Sequence, residues 1–114
     1  MRGTFVTSSL MPSCYHKTID ERLYRLVEAA VRKIDADPAL LQKMKENVAR
    51  WTDSPRQELW RRRLDTDWRL LRVRLLAKTE QGAALRQDAP FGGILTPDER
   101  RRIMREFSYD PRAA

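Results

Sequence analysis

Two residue types common in catalytic and metal sites are almost missing. The 114-residue sequence has one cysteine, Cys14, and one histidine, His16. A single cysteine rules out an intramolecular disulfide and suits a reducing, cytoplasmic setting. Cys14 and His16 offer two metal ligands where a structural zinc usually takes four. One histidine cannot serve every role in a Ser/His/Asp or Cys/His arrangement. Apolar runs are short, none near the roughly 20 residues that a membrane span needs. Thr4, Thr7, Ser8 and Ser9 interrupt the N-terminal stretch, which argues against a signal peptide. Glycine is scarce, four residues in all, and Gly92-Gly93 has no Walker-type lysine and hydroxyl residue after it. The pair reads instead as a tight turn needing a positive φ. These absences predict no catalytic site, cofactor, metal or membrane association.

Charge, by contrast, is abundant. Charged residues make up 34% of the chain and the net charge is +7. A positive balance favours nucleic acid or an acidic protein surface as partner. Mixing of both signs along the chain reads largely as solvated helix surface. The length suits one domain with a modest core that needs no disulfide or metal.

Hydrophobic periodicity is helical throughout. Thr18-Ile19-Asp20-Glu21 has the form of a capping box. After it, Ile19, Leu23, Leu26, Val27, Ala30, Val31 and Ile34 recur at three- and four-residue steps to about Ala36. Asp37-Pro38 opens a second helix with the stripe Leu40, Leu41, Met44, Val48 and Trp51. Ser54 and Pro55 begin a third, with Gln57 at its third position, carrying Leu59, Trp60 and Leu64. Asp65-Thr66-Asp67 favours a break, because short polar side chains compete for backbone groups. Trp68, Leu71, Leu75 and Leu76 then resume the stripe toward Ala77. Thr79 caps a short helix to Gln87, and Thr96-Pro97-Asp98-Glu99 caps the last one, with Ile103, Met104 and Phe107. The expectation is an all-α domain, a compact bundle of five or six short helices over residues 18–107. A flexible arm at 1–17, where Met11 offers an alternative start, and a loose tail at 108–114 flank it.

Between the last two helices lies an apolar loop, Pro90-Phe91-Gly92-Gly93-Ile94-Leu95. Loops run over the surface and are usually polar. Phe91, Ile94 and Leu95 therefore either fold back on the core or meet another molecule. Arg86, Arg100 and Arg101 stand ready as a charged rim around them. A second basic group, Arg61, Arg62, Arg63, Arg69, Arg72 and Arg74, is interleaved with Trp60 and Trp68, the composition of a nucleic-acid surface with stacking platforms. The helical spacing of those tryptophans, in line with Leu64, Leu71 and Leu75, assigns them to the core instead. A helix-turn-helix fits poorly. The turn at Thr52–Pro55 has no glycine, and the last helix begins with Asp98 and Glu99, which would face phosphates.

Two blocks carry a resemblance. The first is Ala36-Asp37-Pro38-Ala39-Leu40-Leu41 with Asn47, Arg50 and Trp51. The second is Leu85-Arg86-Gln87 with Pro90-Phe91, Gly93, Leu95 and Glu99-Arg100. Together, over about residues 20–107, they resemble a family of small helical bacterial proteins ending in an LRQ-x-x-PF-x-G-x-L-x-x-x-ER block. That family looks like antitoxins encoded beside toxin genes. The resemblance implies a non-enzymatic protein that neutralises a cognate toxin by direct contact. The chain departs from that pattern in its arm at 1–17, which has no counterpart there, and in its centre, Arg61 to Arg74, which is unusually arginine-rich. Two further readings stand beside it: a DNA-binding transcriptional regulator, and a phage-encoded inhibitor of a bacterial defence complex of the anti-CRISPR kind.

Overall fold

The computed structural model describes the backbone of residues 3–108 and the side chains of residues 19–107. Six helices follow one another: α1 Gly3–Ala36, α2 Leu40–Ala49, α3 Ser54–Asp65, α4 Trp68–Leu75, α5 Glu80–Asp88 and α6 Pro97–Ser108. Among the described residues there is no strand, so the fold is the all-α one expected. α1 is flanked by α5 and α6, α2 packs on α3, and α4 packs on both α3 and α5.

The face of α1 read from its periodicity is the face it buries. Val27, Ala30, Val31 and Ile34 are fully enclosed. Met44 and Val48 of α2, Trp60 and Leu64 of α3, Leu71 and Leu75 of α4 and Leu85 of α5 complete the core with them. Ile19, counted on the same α1 stripe, is largely exposed. The α1 backbone is already helical from Gly3, so the box at Thr18 does not start it. Once a helix is nucleated, each further residue adds one backbone hydrogen bond, which favours reading through an internal cap. The arm expected at 1–17 has its side chains, with those of Cys14 and His16, outside the described residues, as does the tail from Ser108 onward.

Most other boundaries follow local capping chemistry. Asp37 holds the turn before α2, its Oδ1 accepting from the Ala39 N–H at 3.3 Å. The expected break after Asp65 is present, and Asp67 caps α4 by accepting from the Arg69 N–H at 3.0 Å. Thr79 caps α5, accepting from the Gly82 N–H at 3.0 Å. At α3 the cap is Asp53, one residue earlier than the expected Ser54; its extended backbone lets the carboxylate reach the Arg56 N–H. Gln57, expected to close a capping box there, turns the other way. Its Nε2 donates to the carbonyls of Val48 and Trp51, both at 3.0 Å, and so satisfies the C-terminal end of α2.

Side-chain ties then fix the helices against one another. Asp35 of α1 accepts from Trp68 Nε1 and from both arms of Arg72, each within 3.1 Å. Asp88 at the end of α5 accepts from Trp60 Nε1 at 2.8 Å and from Arg56 of α3. Arg25 of α1 grips Glu106 of α6 with two bonds of 3.1 Å. Local spacing reads Glu106 as a partner for arginines on its own helix, whereas it binds across to α1.

Candidate functional site

The apolar loop after α5 is largely explained by the interior. Ile94 is 1% exposed and belongs to the core, a burial that stabilises by about 1.5–3 kcal/mol. It is therefore not a partner anchor: the tight turn around Gly93 (φ 79°) points it inward. Pro90 is also buried, and Phe91 is half-buried against the core. Asn47 of α2 holds the loop in place. Its Nδ2 donates to the Pro90 carbonyl at 2.9 Å and the Gly92 carbonyl at 2.8 Å, while its Oδ1 accepts from Arg50 at 2.5 Å. Asn47 and Arg50 come from the first of the two resemblance blocks and the loop from the second. The blocks are thus two halves of one structural contact.

Arg86 is also internal, 7% exposed. It sits on α5 but reaches back to the end of α4. Its Nη1 donates to the carbonyls of Leu75 at 2.9 Å and Ala77 at 2.6 Å. Tyr24 of α1 donates its hydroxyl to the Leu76 carbonyl between them at 2.8 Å, and the Arg86 guanidinium lies 4.6 Å from the centre of the Tyr24 ring. The last carbonyl of α4, that of its C-cap Leu76 and that of Ala77 just beyond are so satisfied at one junction, as a helix end requires when it is buried. Arg86 is a helix cap and not part of a charged rim. Gly82 belongs to the same junction. A Cβ there would stand 2.1 Å from the Ala77 oxygen and 3.1 Å from Arg86 Nη1. Helix propensity alone would make Gly82→Ala stabilising by roughly 1 kcal/mol. The opposite is expected, a loss of about 1–3 kcal/mol from overpacking, measurable as a lower urea midpoint.

What remains on the surface is a groove at the start of α6. Leu95, Pro97 and Met104 form its apolar part, and Gly93, Arg100 and Arg101 line its sides, around a volume of about 560 Å³. Three of the expected site residues, Leu95, Arg100 and Arg101, are thereby brought together. Arg101 is paired with Asp98 one turn back. Arg100 has no ion pair among the described residues. The periodicity placed Met104 on the helix's apolar stripe but gave no hint that it would line a groove.

The reciprocal cap expected at Thr96 supports this rim. The Thr96 N–H donates to Glu99 at 2.7 Å and the Glu99 N–H donates to the Thr96 hydroxyl at 3.1 Å. Lys33 of α1 adds a bond of 2.7 Å to the same Glu99 oxygen. Lys33, and then the Thr96 backbone, hold the Glu99 carboxyl at about 2 instead of the ordinary 4.5. A value lowered by folding contributes stability that is fully present above about pH 4.5 and lost as the pH falls toward 2. The melting-temperature gap between wild type and Glu99→Gln is accordingly expected to hold from neutrality to about pH 4.5 and to close near pH 2.

The second basic group does not form one face of free cations. Arg61 and Arg62 both pair with Glu58, Arg69 pairs with Asp67, and Arg72 pairs with Asp35. Only Arg63 and Arg74 lack a carboxylate partner within salt-bridge distance among the described residues. Trp60 is fully buried and Trp68 half-buried, as the periodicity required, so neither ring is a stacking platform.

Among the described residues no group of three or more His, Cys, Asp or Glu could hold a metal ion, and no helix is long and apolar enough to cross a membrane. No protein-family model, curated protein or solved structure matches the chain.

Proposed function

We propose that this is a non-enzymatic binding protein that meets a protein partner through the groove at the start of α6. The observation that carries the reading is a surface groove of half-buried Leu95 and Met104 with Pro97, beside Arg100, which has no ion pair among the described residues. Interfaces favour this combination, because methionine adapts to irregular surfaces and arginine is enriched among the residues that dominate binding. The pairing of four central arginines, and Asp98 and Glu99 at the α6 N-terminus, weigh against a DNA-reading surface. The resemblance to antitoxins makes the product of an adjacent toxin gene the partner of first choice.

Co-expression tests this. The wild-type protein is expected to restore growth of cells producing the neighbouring toxin and to co-purify with it. Leu95→Asp with Met104→Asp should abolish both while the far-UV spectrum stays helical. A folded double variant that still neutralises the toxin would refute the assignment. So would tight, steeply salt-dependent binding to duplex DNA with no protein complex, which fits the regulator reading instead.

A further inference from the structure

A second groove, of about 470 Å³, is lined by residues of α3, α4 and α5, among them Leu59, Arg63, Arg74, Gln81 and Ala84. Its two flanking helices repeat one arrangement. Leu59 and Arg63 are four residues apart on α3, and Leu70 and Arg74 are four apart on α4, so each arginine stands one turn from a leucine. These leucines are unusual in being exposed: Leu59 is 46% accessible, Leu70 65%, and Val73, between Leu70 and Arg74, 62%.

Among the described residues neither arginine has an ion pair, for a structural reason. The one carboxylate in the groove, Asp88, already accepts from Trp60 and Arg56. The Arg63 guanidinium lies 4.8 Å from the centre of the Trp60 ring, and Arg74 makes no ion pair among the described residues. Partial burial and the charge of Arg74 both push Arg63 below its ordinary value, with Asp88 offsetting part of this. The groove thus sets two arginines beside an exposed leucine with no carboxylate bridging them among the described residues.

We propose that this groove docks an acidic segment of a partner protein, one carboxylate bridging Arg63 and Arg74 and a leucine-type side chain covering Leu59, with Leu70, one turn before Arg74 on α4, at its edge. Charge selects this occupant. A second copy of a chain with net charge +7 would set the same arginines against one another, and like charges across an interface are strongly disfavoured. A nucleic-acid backbone would satisfy the arginines and leave Leu59 and the neighbouring Leu70 uncovered. This surface is separate from the α6 groove and does not depend on what that groove binds.

The test is a titration of the isotopically labelled full chain with a synthetic helical peptide carrying glutamate and leucine at four-residue spacing. Saturable amide shifts are expected at Arg63, Arg74, Gln81 and their neighbours. Arg74 is exposed, so Arg74→Glu should fold as well as wild type or better, because the new carboxylate relieves the repulsion. Yet it should bind the peptide at least about tenfold more weakly, which is the loss of about 1.4 kcal/mol of binding. Replacing the peptide's glutamates by glutamine should weaken binding to the wild type to a similar degree. Equal affinity of wild type and Arg74→Glu would overturn the proposal. So would shifts confined to the α6 groove, no binding at millimolar peptide, or a DNA duplex that occupies these residues more tightly than the peptide.

Discussion

Trp60→Ala is expected to lower the stability of the fold by about 3–5 kcal/mol, the usual cost of emptying a buried aromatic site. The ring is fully enclosed at the centre of the core, its Nε1 donates to Asp88 at 2.8 Å, and Arg63 covers one face. Domains of this size have roughly 5–15 kcal/mol in total, so the variant would be marginal at best. Trp60→Phe separates the two contributions. It keeps most of the packing and removes the donor, for a loss nearer to 1 kcal/mol. Urea unfolding followed by circular dichroism reads both. An exposed stacking ring would behave differently, since its removal should change stability by less than about 0.5 kcal/mol.

Arg86→Leu should cost roughly 3 kcal/mol. The carbonyls of Leu75 and Ala77 lose their donor, each worth about 1–3 kcal/mol when stranded away from water, and the Tyr24 ring loses its cation. For a domain of this length that corresponds to a fall in melting temperature of roughly 10–20 °C. Arg86→Lys should recover only part of it, because a single ammonium does not reproduce the rigid fork of donors. Calorimetry on the three proteins checks the order wild type, lysine, leucine. Since Arg86 is internal, partner affinity per folded molecule should not change. A leucine variant that melts with the wild type would show that the α4 end does not depend on this cap.

These two residues also show where local reading succeeds and where it stops. Trp60 was legible as core because it falls in helical register with Leu64, and the register of an amphipathic helix is a property of neighbours in the chain. Arg86 was not legible. An arginine between leucine and glutamine looks like any solvated cation, and nothing nearby in sequence announces that α4 ends against it. Ile94 was open in the same way: its burial depends on Asn47, far along the chain, which holds the loop carbonyls and lets the turn at Gly93 aim the side chain inward. The one available signal was the pairing of the Asn-x-x-Arg-Trp block with the Pro-Phe block in one sequence, two sides of a single contact.

The start of α6 combines both kinds of information. The Thr96–Glu99 cap is set by residues three apart, and the structure bears it out bond for bond. Lys33, which joins the same carboxylate, is contributed by α1 and was invisible to local spacing. Hydrophobic period, helix breaks and most caps are short-range matters, so residues 19–107 declare an all-α chain without any fold in hand. Which arginines are neutralised, which apolar residues stay exposed and which grooves result depend on packing partners distant in the chain. Only the folded chain turned Ile94 of the apolar loop into core, an expected rim arginine into a helix cap, and Leu95, Arg100 and Arg101 into the walls of one groove.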